Sequence, residues 1–178
     1  LFYLKLKYSN AVGLYEQALN QYIDTTTMEI AEDVAVNAEH KAKEYLAEAK
    51  QNRQQAQTYN NKAAASAASD YSNVDCMTAS EEASVAQKKA TASLSAAENA
   101  ANAANHALED TKVAASKQRA VYSSQEAIKH AALARTATSN SKQHAAYAKT
   151  YAMITAGLVA NAEMAKHCAN AKFSAEES

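Results

Sequence analysis

Small residues recur at alternating intervals of three and four along most of this chain, a spacing that commits it to helices packed through narrow seams. One stripe runs Met28, Ala31, Ala35, Ala38, Ala42, Tyr45, Ala49, Ala56, Tyr59 and Ala63, interrupted by Asn52. A second reads Ala83, Ala86, Ala90, Ser93, Ala97, Ala100, Ala104, Ala107, Thr111 and Ala114, and then Val121 after Gln118. A third reads Ala127, Ala131, Ala134, Thr138, Ser141, Ala145, Ala148, Ala152, Thr155, Val159 and Ala162. Proline is absent and Gly13 and Gly157 are the only glycines. Little in the chain therefore breaks a helix, while β-rich folds draw on both residues for tight turns. The expected fold class is all-α: an elongated antiparallel bundle of about three long helices plus an N-terminal helical segment, with alanine-lined coiled-coil packing.

Three sites carry the Ser/Thr-x-x-Glu chemistry of a helix start: Thr26 to Glu29, Thr78 to Glu81 and Ser123 to Glu126. They divide a single domain, 1–178, into an N-terminal helical segment over 1–24 and long helices over 28–72, 79–121 and 124–170. Each long helix is a rod of roughly 65 Å at 1.5 Å per residue. The N-terminal segment either continues into the next helix or folds against it. The polar stretch Thr136 to Ser141 is the weakest part of the third helix, because Ser and Asn compete for backbone hydrogen bonds. It is expected to stay helical, since the stripe passes through it in phase.

Cys76 and Cys168 are the only cysteines and lie equidistant from Tyr122. A chain that folds back at Tyr122 brings them to the same end, so a Cys76–Cys168 disulfide is expected. Such a bridge points to an oxidising, extracellular setting. His40, His106, His130, His144 and His167 are scattered and form no His-x-x-x-His or Glu-x-x-His set. No metal site, cofactor, catalytic pair or phosphate-binding loop can be assembled from these residues, and an enzyme is not expected.

The formal net charge is −1, with 18 basic and 19 acidic side chains reading as interspersed. That balance argues against nucleic acid as a partner and against a basic membrane-surface helix. No stretch reaches the length of a membrane span, so a membrane is expected only through an anchor outside this chain. The remaining signal is aromatic: ten tyrosines against two phenylalanines and no tryptophan. Most are expected to fill wider parts of the seam with their hydroxyls at the rim. Near the N-terminus, however, Leu1, Tyr8, Tyr15 and Tyr22 recur every seven residues, beside Leu4, Ala11 and Ala18. That segment needs a partner, either the bundle itself or another molecule. Tyr3, Tyr8, Tyr15 and Tyr22 are the candidate partner-binding residues, with a protein or host ligand, or an oligomer, as the expected partner.

In its stripes, such as Ala97-Ala100-Ala104-Ala107, its lack of proline and its sparse cysteines, the whole chain resembles the alanine-rich helical-bundle surface proteins of African trypanosomes. These include the glutamate/alanine-rich protein and relatives of the haptoglobin–haemoglobin receptor. The resemblance implies a GPI-anchored, cell-surface coat or receptor-like protein. The chain departs from that group in being richer in Ser, Asn and Gln than in Glu. Its alanine-rich composition is also similar to coiled-coil silks and secretory-granule matrix proteins, which implies a structural role in a secreted matrix as the alternative.

Overall fold

The computed structural model describes residues 2–69 and 74–176, with side chains placed over 11–69 and 74–163. The described residues form three helices and no strand: α1 (Phe2–Ser69), α2 (Val74–Lys112) and α3 (Lys117–Glu176). The all-helical bundle expected from the stripes is observed. The stripes themselves are the core. Ala35, Ala42, Ala49, Ala56 and Ala63 of α1, Ala83, Ala90, Ala97 and Ala104 of α2, and Ala127, Ala134 and Ala148 of α3 are all fully buried. Each contributes little more than a methyl group, about 0.8 kcal/mol per buried carbon. Cohesion therefore comes from many repeats of a small contact, helped by alanine's helix propensity.

The chain divides into two compact units, Leu1–Glu44 with Asn99–Leu133 and Tyr45–Glu98 with Ala134–Ser178. In the first, Ala31, Ala114 and Ala120 form a buried cluster capped by Met28 and Val121. An ion pair between Lys117 and Asp24, 3.2 Å apart, lies beside it. In the second, three clusters follow one another: Ala49 with Ala97 and Ala137, Ala56 with Ala86, Ala90, Ala145 and Ala148, and Ala63 with Ala83 and Ala152. As α1 and α3 advance through these clusters, α2 retreats. Tyr59 and Tyr151 pack against the last of them, so these tyrosines do fill wider places in the seam.

One polar layer interrupts the alanines in the second unit. The Asn52 side-chain amide donates to Ser141 Oγ at 3.1 Å, and Ser141 Oγ donates to the Thr138 carbonyl at 2.8 Å. Thr138 Oγ1 lies 2.8 Å from the Tyr45 carbonyl and 2.9 Å from that of Ala134. Asn52, Thr138 and Ser141 are all buried. This is why the Thr136–Ser141 stretch stays helical, as expected: its hydroxyls bond within α3 and across to α1 rather than unwinding the backbone.

The helix boundaries differ from the sequence expectation at all three supposed starts. Residues 24–28 lie inside α1, so the N-terminal segment is continuous with the first long helix. Thr25 and Thr27 send their hydroxyls back to the carbonyls of Gln21 and Ile23, which satisfies them in mid-helix. Helix α2 begins at Val74 rather than 79, and Thr78 bonds back to the Val74 carbonyl. The turn expected at Tyr122 lies at 113–116 instead. There Ser116 Oγ accepts from the Arg119 N–H at 3.4 Å, and the Ser116 carbonyl accepts from the Ala120 N–H at 3.0 Å. Ser116 is thus the N-cap of α3. Ser123 and Ser124 are buried seam residues, and Ser124 bonds to the Val121 carbonyl.

Moving the turn moves the partner of Cys76. Its thiol, fully buried, lies 3.5 Å from the Thr155 carbonyl oxygen. Thr155 precedes Cys168 on α3 by roughly 20 Å at 1.5 Å per residue. The mirror placement about Tyr122 that suggested a Cys76–Cys168 bridge therefore does not describe this register. The Cys168 side chain itself lies outside the described residues.

Candidate functional site

Two features of the described residues stand apart from the alanine core. The first lies on α1. At 100° per residue, Val12, Tyr15, Leu19, Tyr22, Ile23 and Ile30 fall on one arc of the helix. All six are exposed, Tyr15 by 69%, Tyr22 by 70% and Ile30 by 58%. The buried positions of the same unit, Ala31, Ala35, Ala38 and Ala42, lie about 130° away around the helix. Helix α1 therefore has two apolar faces. The narrow alanine face packs within the chain, and the wide Val/Tyr/Leu/Ile face is exposed among the described residues. Leu14, exposed by 67%, lies off both arcs.

The stripe is left open because it lies about 130° around the helix from the alanine face through which α1 packs. Lys117 and Ala120 meet α1 at Asp24 and Ala31. Residues 11–23 of α1 lie N-terminal to those contacts and are exposed throughout, apart from half-buried Gly13. Ile30 remains exposed further along because it faces away from the seam. Of the four tyrosines expected to bind a partner, Tyr15 and Tyr22 share this face, and the side chains of Tyr3 and Tyr8 lie outside the described residues.

The charge around the stripe is one-sided. Between Lys7 and Lys41 the chain has no Lys or Arg, while Glu16, Asp24, Glu29, Glu32, Asp33 and Glu39 are acidic. Asp24 pairs with Lys117, and the nearly buried Glu39 pairs with Lys43 on the next turn. Glu16, Glu29, Glu32 and Asp33 are exposed. Around the helix, Glu16 and Glu29 fall on either side of the apolar arc and Asp33 follows it in line. The sequence contained this block, but an overall charge near zero conceals it.

The second feature is a shallow cleft of about 170 Å³ between α2 and α3, lined by Glu82, Val85, Ala86, Lys89, His144, Tyr147 and Tyr151. His144 Nδ1 is buried without a hydrogen-bond partner among the described residues. Desolvation, and secondarily the Lys89 ammonium, hold its imidazole below the usual value of 6.5. A base whose folded value is depressed stabilises the fold above its unfolded value and loses that contribution as pH falls. Wild-type protein is therefore expected to lose stability as pH falls through the usual imidazole value of 6.5 and below it, and His144→Gln to flatten that part of the profile. Denaturation midpoints across the range test this; an unchanged slope in the variant would contradict it.

A larger open depression, about 480 Å³, lies along the first turns of α3 at Ser116, Gln118, Arg119, Val121, Tyr122 and Gln125. Among the described residues no group of three or more His, Cys, Asp or Glu is placed to hold a metal ion. No described helix is long and apolar enough to cross a membrane. Comparisons with family models, with characterised proteins and with solved structures give no match to this chain.

Proposed function

We propose that this is a non-enzymatic helical-bundle protein of the coat or receptor-like kind, which works by docking a protein partner on the wide apolar face of α1. The observation that carries this reading is the exposed Val12–Ile30 stripe. A chain that packs its three helices through alanine has no internal use for these large side chains on the far side of α1. Aromatic and branched residues in one contiguous exposed stripe mark an interaction surface rather than ordinary scatter. The order of the clusters in the second unit supports an antiparallel bundle as the scaffold. The resemblance to trypanosome coat proteins supports a place at the cell surface, held by an anchor outside this stretch.

The test is Tyr15→Ser with Tyr22→Ser in the full chain. Both side chains are exposed, so helicity and melting temperature should stay close to wild type, within about 0.5 kcal/mol of stability. Capture of partners from the native source should be lost. Partner capture that survives the double substitution would refute the docking face. A collapse of helicity would show that the stripe packs within the chain.

A further inference from the structure

We propose that the partner docked on α1 presents a basic amphipathic helix, its apolar stripe flanked by lysine or arginine. The inference rests on the docking reading above and adds the partner's chemistry. Val12, Tyr15, Leu19 and Tyr22 follow the three-four spacing of a coiled-coil seam, the pattern that accepts a second helix. In such pairs, charges flanking the seam select the partner and its direction. In this register Glu16 flanks the seam, and the places that continue it beyond Tyr22 are Thr26, Glu29 and Asp33; all three carboxylates are exposed. No basic side chain between Lys7 and Lys41 offsets them.

Charge also decides against the other occupants. A second copy laid on the same face would set Glu16, Glu29 and Asp33 against their own counterparts or against one another, and like charges across a seam suppress pairing. An anionic lipid surface would be repelled by the same carboxylates. A helix carrying Lys or Arg at the flanking positions satisfies both the stripe and its rim.

The probes are two synthetic three-heptad helices with the same leucine stripe, one with lysine and the other with glutamate at the flanking positions. Binding to the full-length chain is measured by fluorescence anisotropy at low and high salt. The lysine helix is expected to bind at least tenfold more tightly, with the gap narrowing as salt screens the rim. Glu16→Gln, Glu29→Gln and Asp33→Asn together should remove most of that preference and leave the glutamate helix unimpaired or improved. Equal binding of the two helices, abolished by Tyr15→Ser with Tyr22→Ser, would overturn the charge inference and leave the docking face standing. Absence of binding by either helix would overturn the inference, as would a dimer in sedimentation that the same tyrosine substitutions dissociate. The docking face itself is judged separately, by the capture experiment above.

Discussion

Ala148→Leu is expected to be among the most damaging single substitutions in this chain. Ala148 is fully buried in a cluster with Ala56, Ala86, Ala90 and Ala145, where all three helices meet through methyl groups. The helices approach closely because nothing larger stands between them. A leucine there adds three carbons at a fully buried position, so the backbones are expected to separate and the adjoining alanine contacts to loosen. Overpacking of this kind costs about 3 kcal/mol at the upper end of its usual range. For a chain of this size that is a fall in melting temperature of roughly 10 °C. Ala146→Leu, two residues away and exposed, is the control and should shift it little. Thermal denaturation of the pair checks the argument; equal effects would show that the seam is loosely packed.

The polar layer gives the second large effect. Asn52→Ala removes the donor to Ser141 Oγ and leaves a gap in the seam at a buried position, at a cost of about 2 kcal/mol. Ser141→Ala strands the Asn52 amide, at a cost of about 1–2 kcal/mol. The two should not add, because the second substitution removes a partner that the first has already lost. Stability measured on both single variants and the double would show the coupling. Strict additivity would mean that Asn52 and Ser141 do not bond in solution. A buried polar pair among near-identical alanines also marks register, as a single asparagine does in a coiled coil. One turn of slippage along the stripe would replace Ala with Ala almost everywhere, but it would separate Asn52 from Ser141.

That near-degeneracy explains which parts of the fold were legible in the sequence. The stripes declared the buried face of each helix residue by residue, through Asn52 and through Thr138 and Ser141, because a period of 3.5 survives any choice of turn. The turn itself did not declare itself. Ser123-Ser124-Gln125-Glu126 has the full capping-box pattern, yet Ser123 and Ser124 are small enough to serve as seam residues and are used so. The real cap, Ser116, is followed three residues later by Arg119 and lacks the carboxylate that would have marked it. Thr26 and Thr78 misled for a related reason. A threonine hydroxyl that bonds the carbonyl four residues back sits comfortably inside a helix, as at Thr25, Thr27 and Thr78.

The candidate site was half visible. The seven-residue recurrence of Tyr8, Tyr15 and Tyr22 marked this segment, and of these Tyr15 and Tyr22 are exposed among the described side chains. Residues 11–23 are exposed, apart from half-buried Gly13, and their apolar side chains lie off the alanine face. The acidic character of the same segment was present in the sequence from Glu16 to Glu39 and was hidden only by averaging over the whole chain.

The register set by the turn at 113–116 decides which residues of α2 and α3 meet, and cysteine cross-linking tests it most directly. Non-reducing peptide mapping would be run on the native protein and on Thr155→Cys after mild oxidation. The structure predicts that Cys76 links to position 155 in the variant and is not linked to Cys168 in the native chain, because Cys76 lies against Thr155. A native Cys76–Cys168 cross-link would contradict it. The turn would then lie near Tyr122, and the pairing of α2 with α3 described above would be wrong.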